Sequence, residues 1–417
     1  MEKKIKTVCF SKTPEQYTEY SRRGIEKQIT AGNMTEEDAE LINEFVASVN
    51  IESNISASRV YKLTNGLSNV SRFLPTSFKE AKITDVYTAV NLIKTAEKVM
   101  GDNHTNPGKL SKDTQKDYVK FLKRFLLWLV DEGYSDLSKD KLNKIRPPAA
   151  SKMSITAADL ISDDDVKKLI EACTGSTRTR DQALISMLYE GAFRIHEIAT
   201  MTWNQISLED LRFIKINTAG KTGIPRYIPL TASRDYLIQW KAIYPGEPTG
   251  NNPVFVTNLN KSFSYPYLKK HIADITVRAG VKAFHPHIMR HSRITSMARS
   301  GYPEGVIKKI AWGSQESNMY ANYSHLVGGD IDKIVAKHSG FDIDEVEPEP
   351  GFVNRICLTC NHLNGPTAAF CNVCGSPLSK QSMAAKNDAM TDIEAFIRQM
   401  TDTEKLMFLA KITEHKQ

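Results

Sequence analysis

Helical periodicity is the feature that most restricts the fold of this 417-residue chain. From about residue 14 to 145, apolar residues recur three and four positions apart, as in TQKDYVKFLKRFLLWLVDEGY, and strand-like alternation is nearly absent. This spacing places apolar side chains on one face of a helix, so it predicts a helical domain over residues 1–145. At roughly 100 to 200 residues per domain, the length predicts two domains with smaller additions.

A second domain is predicted over residues 161–340, after a linker at 146–160 that contains two consecutive prolines. It opens at ISDDDVKKLIEAC, where Ser162 and the acidic residues after it are typical of a capped helix start. Helices dominate again, with one exception. The stretch LRFIKINTAGKTGIPRYIPL alternates apolar and polar residues around a Gly-rich turn, which predicts a β-hairpin with Lys221 at its tip.

The chain changes character after residue 340. An acidic, proline-bearing stretch predicts a linker over 341–352, and a small cysteine-rich module follows over 353–380. Residues 381–417 contain two amphipathic segments and are predicted to be helical. The predicted class is therefore mainly α, with an all-helical N-terminal domain, an α+β second domain with a small sheet, and a zinc ribbon near the C-terminus.

The charge balance permits a polyanionic partner without requiring one. Lys and Arg total 55 against 48 Asp and Glu, a net charge of +7, and hydrophobic residues make up an ordinary 41%. The N-terminus has no apolar core of signal-peptide length, and no stretch approaches the roughly 18 apolar residues of a membrane span. We expect a cytoplasmic protein with no membrane partner.

Four of the six cysteines form two Cys-x-x-Cys pairs separated by ten residues. In a reducing cytosol this clustering favours metal binding over disulfides, and four thiolates can surround Zn²⁺ tetrahedrally. A rubredoxin-type iron site uses the same ligands and stays open as an alternative. Because such a site has no open coordination position, we expect one structural Zn²⁺ and no catalytic metal. The predicted ligands are Cys357, Cys360, Cys371 and Cys374.

Three polar segments follow one another in the second domain. GAFRIHEIATMTWNQI carries Arg194 and Glu197 near an apolar helical run. HPHIMRHSRITSMARS places His287 three residues before Arg290, so both can share one face of a helix. SQESNMYANYSHL contains two tyrosines shortly after the next helix.

This order resembles the tyrosine recombinase family: an arginine, a hairpin lysine, a His-x-x-Arg helix, and a tyrosine about thirty residues on. The resemblance covers residues 160–330 by motif, and the helical N-terminal region is similar to the family's core-binding domain by position only. Tyr320 competes with Tyr323 for the nucleophile role, and we favour Tyr323. The residues that the resemblance implies as catalytic are Arg194, Lys221, His287, Arg290, Trp312 and Tyr323, with Glu197 and His291 in supporting roles.

One position departs from the family pattern. The family usually has Gly-His or Gly-Trp before the tyrosine, whereas this chain reads Ala311, Trp312, Gly313, Ser314. Either Trp312 fills the role with a one-residue shift, or Ser314 occupies the position and a phosphate-binding donor is weakened. We favour Trp312.

The segment around the nucleophile also suggests an origin. Ser317 and Met319 form an SxM pattern that is followed by Tyr323 and the pair His325 and Leu326. This pattern is most similar to integrases of archaeal viruses and plasmids. The added cysteine module favours a mobile-element integrase over a Xer-like resolver of chromosome or plasmid dimers, and both remain open.

The implied chemistry suits these residue types. Two guanidiniums, of Arg194 and Arg290, can clamp the charge that develops on a phosphate under attack. A tyrosine of pKa about 10 needs help to lose its proton, which His287 can receive, and Lys221 would protonate the departing 5′-hydroxyl. A tyrosyl ester conserves the phosphodiester energy, so rejoining needs no ATP, and no GxxxxGK[ST] motif occurs.

The resemblance thus implies a site-specific recombinase or integrase that cleaves and rejoins DNA through a 3′-phosphotyrosyl intermediate. Its expected partners are double-stranded DNA and three further copies of itself, as a homo-tetramer on two duplexes associated with the nucleoid. Two alternatives remain. A catalytically inactive DNA-binding protein on the same fold would bind without cutting, and a type IB topoisomerase-like enzyme would relax one duplex without strand exchange.

Overall fold

A computed structural model describes most of the chain in two compact units. Unit one is Ser11–Ser154, and unit two combines Met1–Phe10 with Ile155–Gln417. None of the helices among the described residues has the length and apolarity that crossing a bilayer requires. The described residues are 5–96, 109–149, 155–210, 212–219, 224–318, 320, 330–331, 335, 339, 351–401 and 403–407.

Unit one is helical throughout its described residues. Four of its six described α-helices begin at side chains that accept a hydrogen bond from a free amide of the first turn: Thr13, Thr35, Ser111 and Ser138. Gly66 lets two helices approach closely, because a Cβ there would lie 2.6 Å from the Phe121 ring. The helices are α1 (Pro14–Thr30), α2 (Glu36–Ser53), α3 (Ala57–Val70), α4 (Ile83–Thr95), α5 (Lys112–Asp131) and α6 (Lys139–Lys144).

Unit two surrounds a small antiparallel sheet with helices. Ser162 caps its first long helix, as predicted, with its side chain accepting from the Asp165 amide. The strands are β1 (Ile206–Ser207), β2 (Ile214–Ala219) and β3 (Pro225–Leu230), in that spatial order. The helices are α7 (Asp163–Glu171), α8 (Arg178–Glu190), α9 (Ile195–Ala199), α10 (Arg234–Ala242), α11 (Tyr265–Arg278), α12 (His287–Arg299) and α13 (Glu304–Trp312).

The predicted hairpin is β2 and β3, paired with Ile216 opposite Ile228 and Thr218 opposite Arg226. Alternate residues of each strand point to the same face. Ile216 and Ile228 are fully buried in the core, which also encloses most of α8. The sheet therefore lies against the central helix of the unit, whose C-terminal end leads directly into the candidate site.

Residues 5–10 lie in unit two, although the helical periodicity placed the whole N-terminus in the first domain. Lys6 forms backbone hydrogen bonds with Asn260 and Ser262, of 2.8 and 3.0 Å. Phe10 is buried against the rings of His196 and Tyr265. These contacts connect positions that are far apart in sequence, so helical periodicity carries no signal for them.

The C-terminal region adds a small hairpin of β4 (Arg355–Ile356) and β5 (Leu363–Asn364), followed by α14 (Lys380–Gln399). Phe352 enters the core of unit two, with its ring 5.5 Å from that of Tyr189. The Tyr236 hydroxyl lies 2.7 Å from Oγ1 of Thr367. Phe352, just before the cysteine-rich module, and Thr367 within it therefore connect the module to the rest of unit two. The predicted linker lies almost wholly outside the described residues.

The predicted fold class is confirmed: the described chain is mostly helical with small sheets, and four cysteines cluster near the C-terminus.

Candidate active site

The turn after α8 positions the first candidate arginine. Ala192 adopts a left-handed conformation with φ of 46°, and Arg194 stands immediately before α9 with extended geometry. Nη1 of Arg194 donates to Oε1 of Glu197 at 2.7 Å, while its backbone N–H donates to Oε2 at 2.8 Å. The Arg194 side chain is 29% exposed. One carboxylate thus caps the short helix and orients a guanidinium that water can still reach.

Glu197 also binds an arginine that the sequence analysis did not select. Nη1 of Arg226 donates to Oε2 of Glu197 at 2.6 Å, and both side chains are buried. Burial alone would raise the pKa of Glu197, but the charge and hydrogen bond of Arg226, together with Arg194, lower it. The carboxylate is therefore ionised at neutral pH and shared by two guanidiniums.

Arg290 is fully buried on α12 and joins two parts of the site. Nη1 donates to the Ala192 carbonyl, two residues before Arg194, and Nη2 donates to the Ala311 carbonyl at 2.6 Å. Its Cζ lies 5.3 Å from the centroid of the Trp312 ring. The structure thus brings Arg290, the Arg194 turn and the end of α13 together.

His287 begins α12 beside the two arginines. Its ring centroid lies 5.2 Å from that of His291 in an edge-to-face arrangement. Burial, and then the positive charges of Arg290 and Arg194, lower the pKa of His287 to about 4. His287 is therefore neutral at pH 7, the state in which an imidazole can accept a proton.

The inverted Trp-Gly order has a packing reason. Trp312 is the last residue of α13 and is buried, and Gly313 follows it with φ of 79°. A Cβ at Gly313 would lie 2.6 Å from the Pro225 carbonyl oxygen, so glycine is required where α13 ends against β3. Oγ of Ser314 accepts from the Glu316 amide at 3.1 Å. Trp312 lies against Arg290, whereas Ser314 forms a local turn.

Two predicted catalytic residues, Lys221 and Tyr323, lie outside the described residues, as do Met319, His325 and Leu326. Their roles stay predictions. The competing tyrosine, Tyr320, is described and packs against the cluster of buried side chains that includes Trp312 and Ala192.

The four cysteines converge as predicted, with all Sγ atoms within 4.8 Å of one another. Each pair closes the same backbone turn: the Asn361 amide donates to the Cys357 carbonyl at 2.8 Å, and the Gly375 amide donates to the Cys371 carbonyl at 2.9 Å. Asn361 and Gly375 both have positive φ, of 58° and 70°. Two like turns that present four sulfurs to one point fit a tetrahedral metal ion.

Comparison with known proteins is consistent with this site. Residues 159–327 match the phage integrase family. The chain is 27% identical to the tyrosine recombinase XerC of Yersinia pestis over 208 residues, which are 49% of this chain and 66% of the relative. It is 25% identical to the tyrosine recombinase XerD of Listeria innocua over 300 residues, which are 69% of this chain and 94% of the relative.

Two solved structures show the same fold. One is the XerH site-specific recombinase in a post-cleavage complex with palindromic difH substrate, with a TM-score of 0.52, 15% identity, and coverage of 81% of this chain and 100% of that chain. The other is a lambda integrase dimer bound to a COC′ core site, with a TM-score of 0.52, 13% identity, and coverage of 74% and 99%.

The relatives that match this chain in sequence are named tyrosine recombinases, and the two structures that match it in fold are a site-specific recombinase and an integrase. The phage integrase match and the XerC and XerD relatives support the tyrosine recombinase family for this chain.

Sequence reasoning missed Arg226, although a signal was present. On β3, Arg226 is in phase with Ile228 and Leu230, which both point into the core. A charged residue on the apolar face of an alternating strand indicates a buried pair, because an unpaired buried charge is too costly to keep. The sequence alone does not identify Glu197 as its partner.

Proposed function

We propose that this chain is a site-specific recombinase or integrase that cuts and rejoins DNA strands through a 3′-phosphotyrosyl intermediate. The observation that carries the proposal is that Arg194, Arg290 and neutral His287 lie together around the Ala192 turn. Two guanidiniums beside a proton acceptor are the groups that phosphoryl transfer by a tyrosine requires.

In the proposed step, the Tyr323 oxygen attacks the scissile phosphorus and the bond to the 5′-oxygen breaks. The tyrosine proton passes to His287, and Lys221 supplies the proton that the departing 5′-oxygen takes up. Arg194 and Arg290 stabilise the charge on the non-bridging oxygens. Attack by a second 5′-hydroxyl reverses the step, so the phosphodiester energy is kept and neither ATP nor a catalytic metal is needed.

We further propose that the four cysteines bind one structural Zn²⁺. A four-thiolate site leaves no coordination position for substrate, so this ion would stabilise the module and take no part in the reaction. The convergence of the four Sγ atoms on two like turns supports the assignment.

The proposed partners are double-stranded DNA and, during recombination, a homo-tetramer on two duplexes. A lambda integrase tetramer bound to a Holliday junction has a similar fold, with a TM-score of 0.50 and 13% identity. The net charge of +7 suits a polyanionic partner. A role in the cytoplasm beside the nucleoid, an archaeal virus or plasmid origin, and a mobile element rather than a dimer resolver remain parts of the proposal.

The decisive experiment traps covalent protein–DNA adducts on nicked suicide duplexes drawn from a random or host-derived library. Wild type should form an adduct, Tyr323→Phe should bind DNA without forming one, and the matched control Tyr320→Phe should retain it. An adduct that survives Tyr323→Phe and disappears in Tyr320→Phe would move the nucleophile. Binding without any adduct would favour the inactive DNA-binding alternative, and relaxation of a single duplex without exchange would favour the topoisomerase alternative.

A further inference from the structure

We infer that Arg226 is a positioning residue for DNA cleavage, holding Arg194 in place through Glu197. The inference rests on the proposed function, because it assigns Arg226 a part in presenting a phosphate-binding arginine. Arg226 does not need to touch DNA for this role: it touches the carboxylate that touches Arg194.

The position of Arg226 connects three pieces of the candidate site. It is the second residue of β3, the strand that pairs with β2. Its Nη1 reaches Glu197 in the Arg194 turn, and its Nε donates to the Ile310 carbonyl at 2.9 Å, two residues before Trp312. One side chain therefore links the hairpin, the Arg194 turn and the end of α13.

The geometry at Glu197 makes the two arginines dependent on each other. Arg194 binds Oε1 through its side chain, and Arg226 binds Oε2 through its side chain. Without Arg226, the buried carboxylate would keep Arg194 as its charged partner and the Arg194 amide on Oε2, but it would lose the second guanidinium that anchors Oε2 to β3. Because Arg194 is partly exposed, a less restrained carboxylate would hold its guanidinium less firmly in place.

Retaining Arg226 costs stability. Its side chain is 1% exposed, and burial lowers its pKa more than the Glu197 charge raises it. Its Nη2 has no hydrogen-bond acceptor among the residues that the structure describes. A buried donor without an acceptor is destabilising, and packing alone does not require an arginine at this position.

The test compares Arg226→Met with Arg226→Lys on suicide duplexes with an ordinary or a methylphosphonate scissile group. The methylphosphonate lacks one charged oxygen, so its cleavage depends less on Arg194. On the ordinary phosphate, Arg226→Met should bind normally but cleave about 10 to 100 times more slowly in single turnover, with Arg226→Lys in between. On the methylphosphonate, the slowing of cleavage relative to wild type should be smaller for Arg226→Met, and the same should hold for the reference variant Arg194→Ala.

A matched control separates positioning from simple destabilisation. Arg180 is another buried arginine, paired with Asp181 at 2.6 Å and bonded to the Val256 carbonyl. Arg180→Met should lower the thermal midpoint comparably but cleave both substrates with equal relative efficiency. Equal deficits for Arg226→Met on the two substrates, or wild-type cleavage of the ordinary phosphate, would overturn the inference.

A second pair of variants keeps the inference testable if Arg226→Met does not fold. Glu197→Gln should reproduce the substrate-dependent deficit, and adding Arg226→Lys to it should cause little further loss, because both changes act on one link. Fully additive losses would contradict action through Glu197. If wild type itself forms no adduct, the proposed function fails; if wild type cleaves and the Arg226 variants match it, only this inference fails.

Discussion

The two compact units bury very different side chains. In the described part of unit one, the buried ionisable group is Asp38, which caps its own helix and accepts from the Phe78 amide at 2.8 Å. The rest of that core is apolar or carries small neutral polar groups. In its described part, unit two buries charged side chains of both signs: Arg180, Asp181, Glu190, Glu197, Arg226 and Arg290.

This difference distinguishes the buried side chains that folding alone requires from the buried charged side chains that a reaction would require. A helical unit with an apolar core needs only its periodic side chains to fold. Buried ions cost free energy unless each is paired, and replacing them by apolar groups is often neutral or stabilising. Three of the buried charged residues, Glu197, Arg226 and Arg290, lie where the Arg194 turn, β3 and α13 meet, which supports a functional reason for keeping these three.

Not every buried ion in unit two belongs to the candidate site. The Glu190 carboxylate accepts five hydrogen bonds from the backbone and hydroxyls of residues 231–233, just before α10. Its role is to satisfy amides at a helix start. The difference between the buried side chains of the two units is therefore best tested with variants in both units.

The largest expected effect is on cleavage by Arg290→Ala. Removing this guanidinium should slow adduct formation at least about 1000-fold, since a clamp for transition-state charge is lost. Much of the DNA binding should remain. Single-turnover trapping and a gel-shift titration measure the two quantities. Unchanged cleavage would show that the buried ions of unit two serve only its fold.

In unit one, the corresponding large effect should be on stability alone. Phe125 is fully buried between Phe45 and Phe78, so Phe125→Ala should cost about 3 to 5 kcal/mol of unfolding free energy. The cleavage rate of folded protein at saturating DNA should not change. Leu92→Ala, at an exposed position on α4, should stay within about 0.5 kcal/mol. A cleavage defect in Phe125→Ala beyond its folded fraction would contradict the contrast between the units.

A smaller effect is expected at the four cysteines that are proposed to bind zinc. Chelation or Cys371→Ser should unfold the module and lower the stability of the rest of unit two by about 1 to 3 kcal/mol, because Thr367 of the module contacts Tyr236. Cleavage by protein that remains folded should persist. Cys9→Ser, at an exposed cysteine outside the cluster, serves as the control in thermal unfolding. Complete loss of cleavage in a properly folded, metal-free chain would give the metal a larger role.

The smallest expected effect is on pH dependence. The folded-state pKa of His287, about 4, is below the unfolded value of about 6.5, so the unfolded chain binds the extra proton between these values. The contribution of neutral His287 to stability is therefore present above about pH 6.5 and lost as the pH falls towards 4. We expect the free energy of unfolding, measured in urea, to fall less between pH 7 and pH 5 in His287→Gln than in wild type. Equal declines would mean that His287 is not buried in its neutral form.

Local sequence patterns predicted the helices and strands well. They did not predict contacts between residues that are far apart in the sequence. Ser162 caps α7 and the alternating stretch forms β2 and β3, because both features depend on neighbours within a few residues. Thr401 and Glu404 are a further local example: they have the spacing of a capping box, and both of its hydrogen bonds are formed.

The missed features all depend on partners far along the chain. Arg226 meets Glu197 across 29 positions, and the Tyr236 hydroxyl meets Thr367 across 131. Phe10 and Phe352 are single aromatic residues that belong to no periodic apolar pattern in the sequence. Each is buried only because the folded chain brings the core of unit two around it. Periodicity describes which face of an element is apolar but not which distant residue covers it.

The placement of residues 5–10 has a practical consequence for dissecting the chain. A fragment that starts at residue 155 would lack Phe10 and the backbone partner of Asn260 and Ser262, leaving an open edge and a hole in its core. Residues 11–154 are, in effect, an insertion within the other unit. To express unit two alone, the insertion should be cut out and replaced by a short linker, so that residues 5–10 keep their contacts with Asn260, Ser262 and the core.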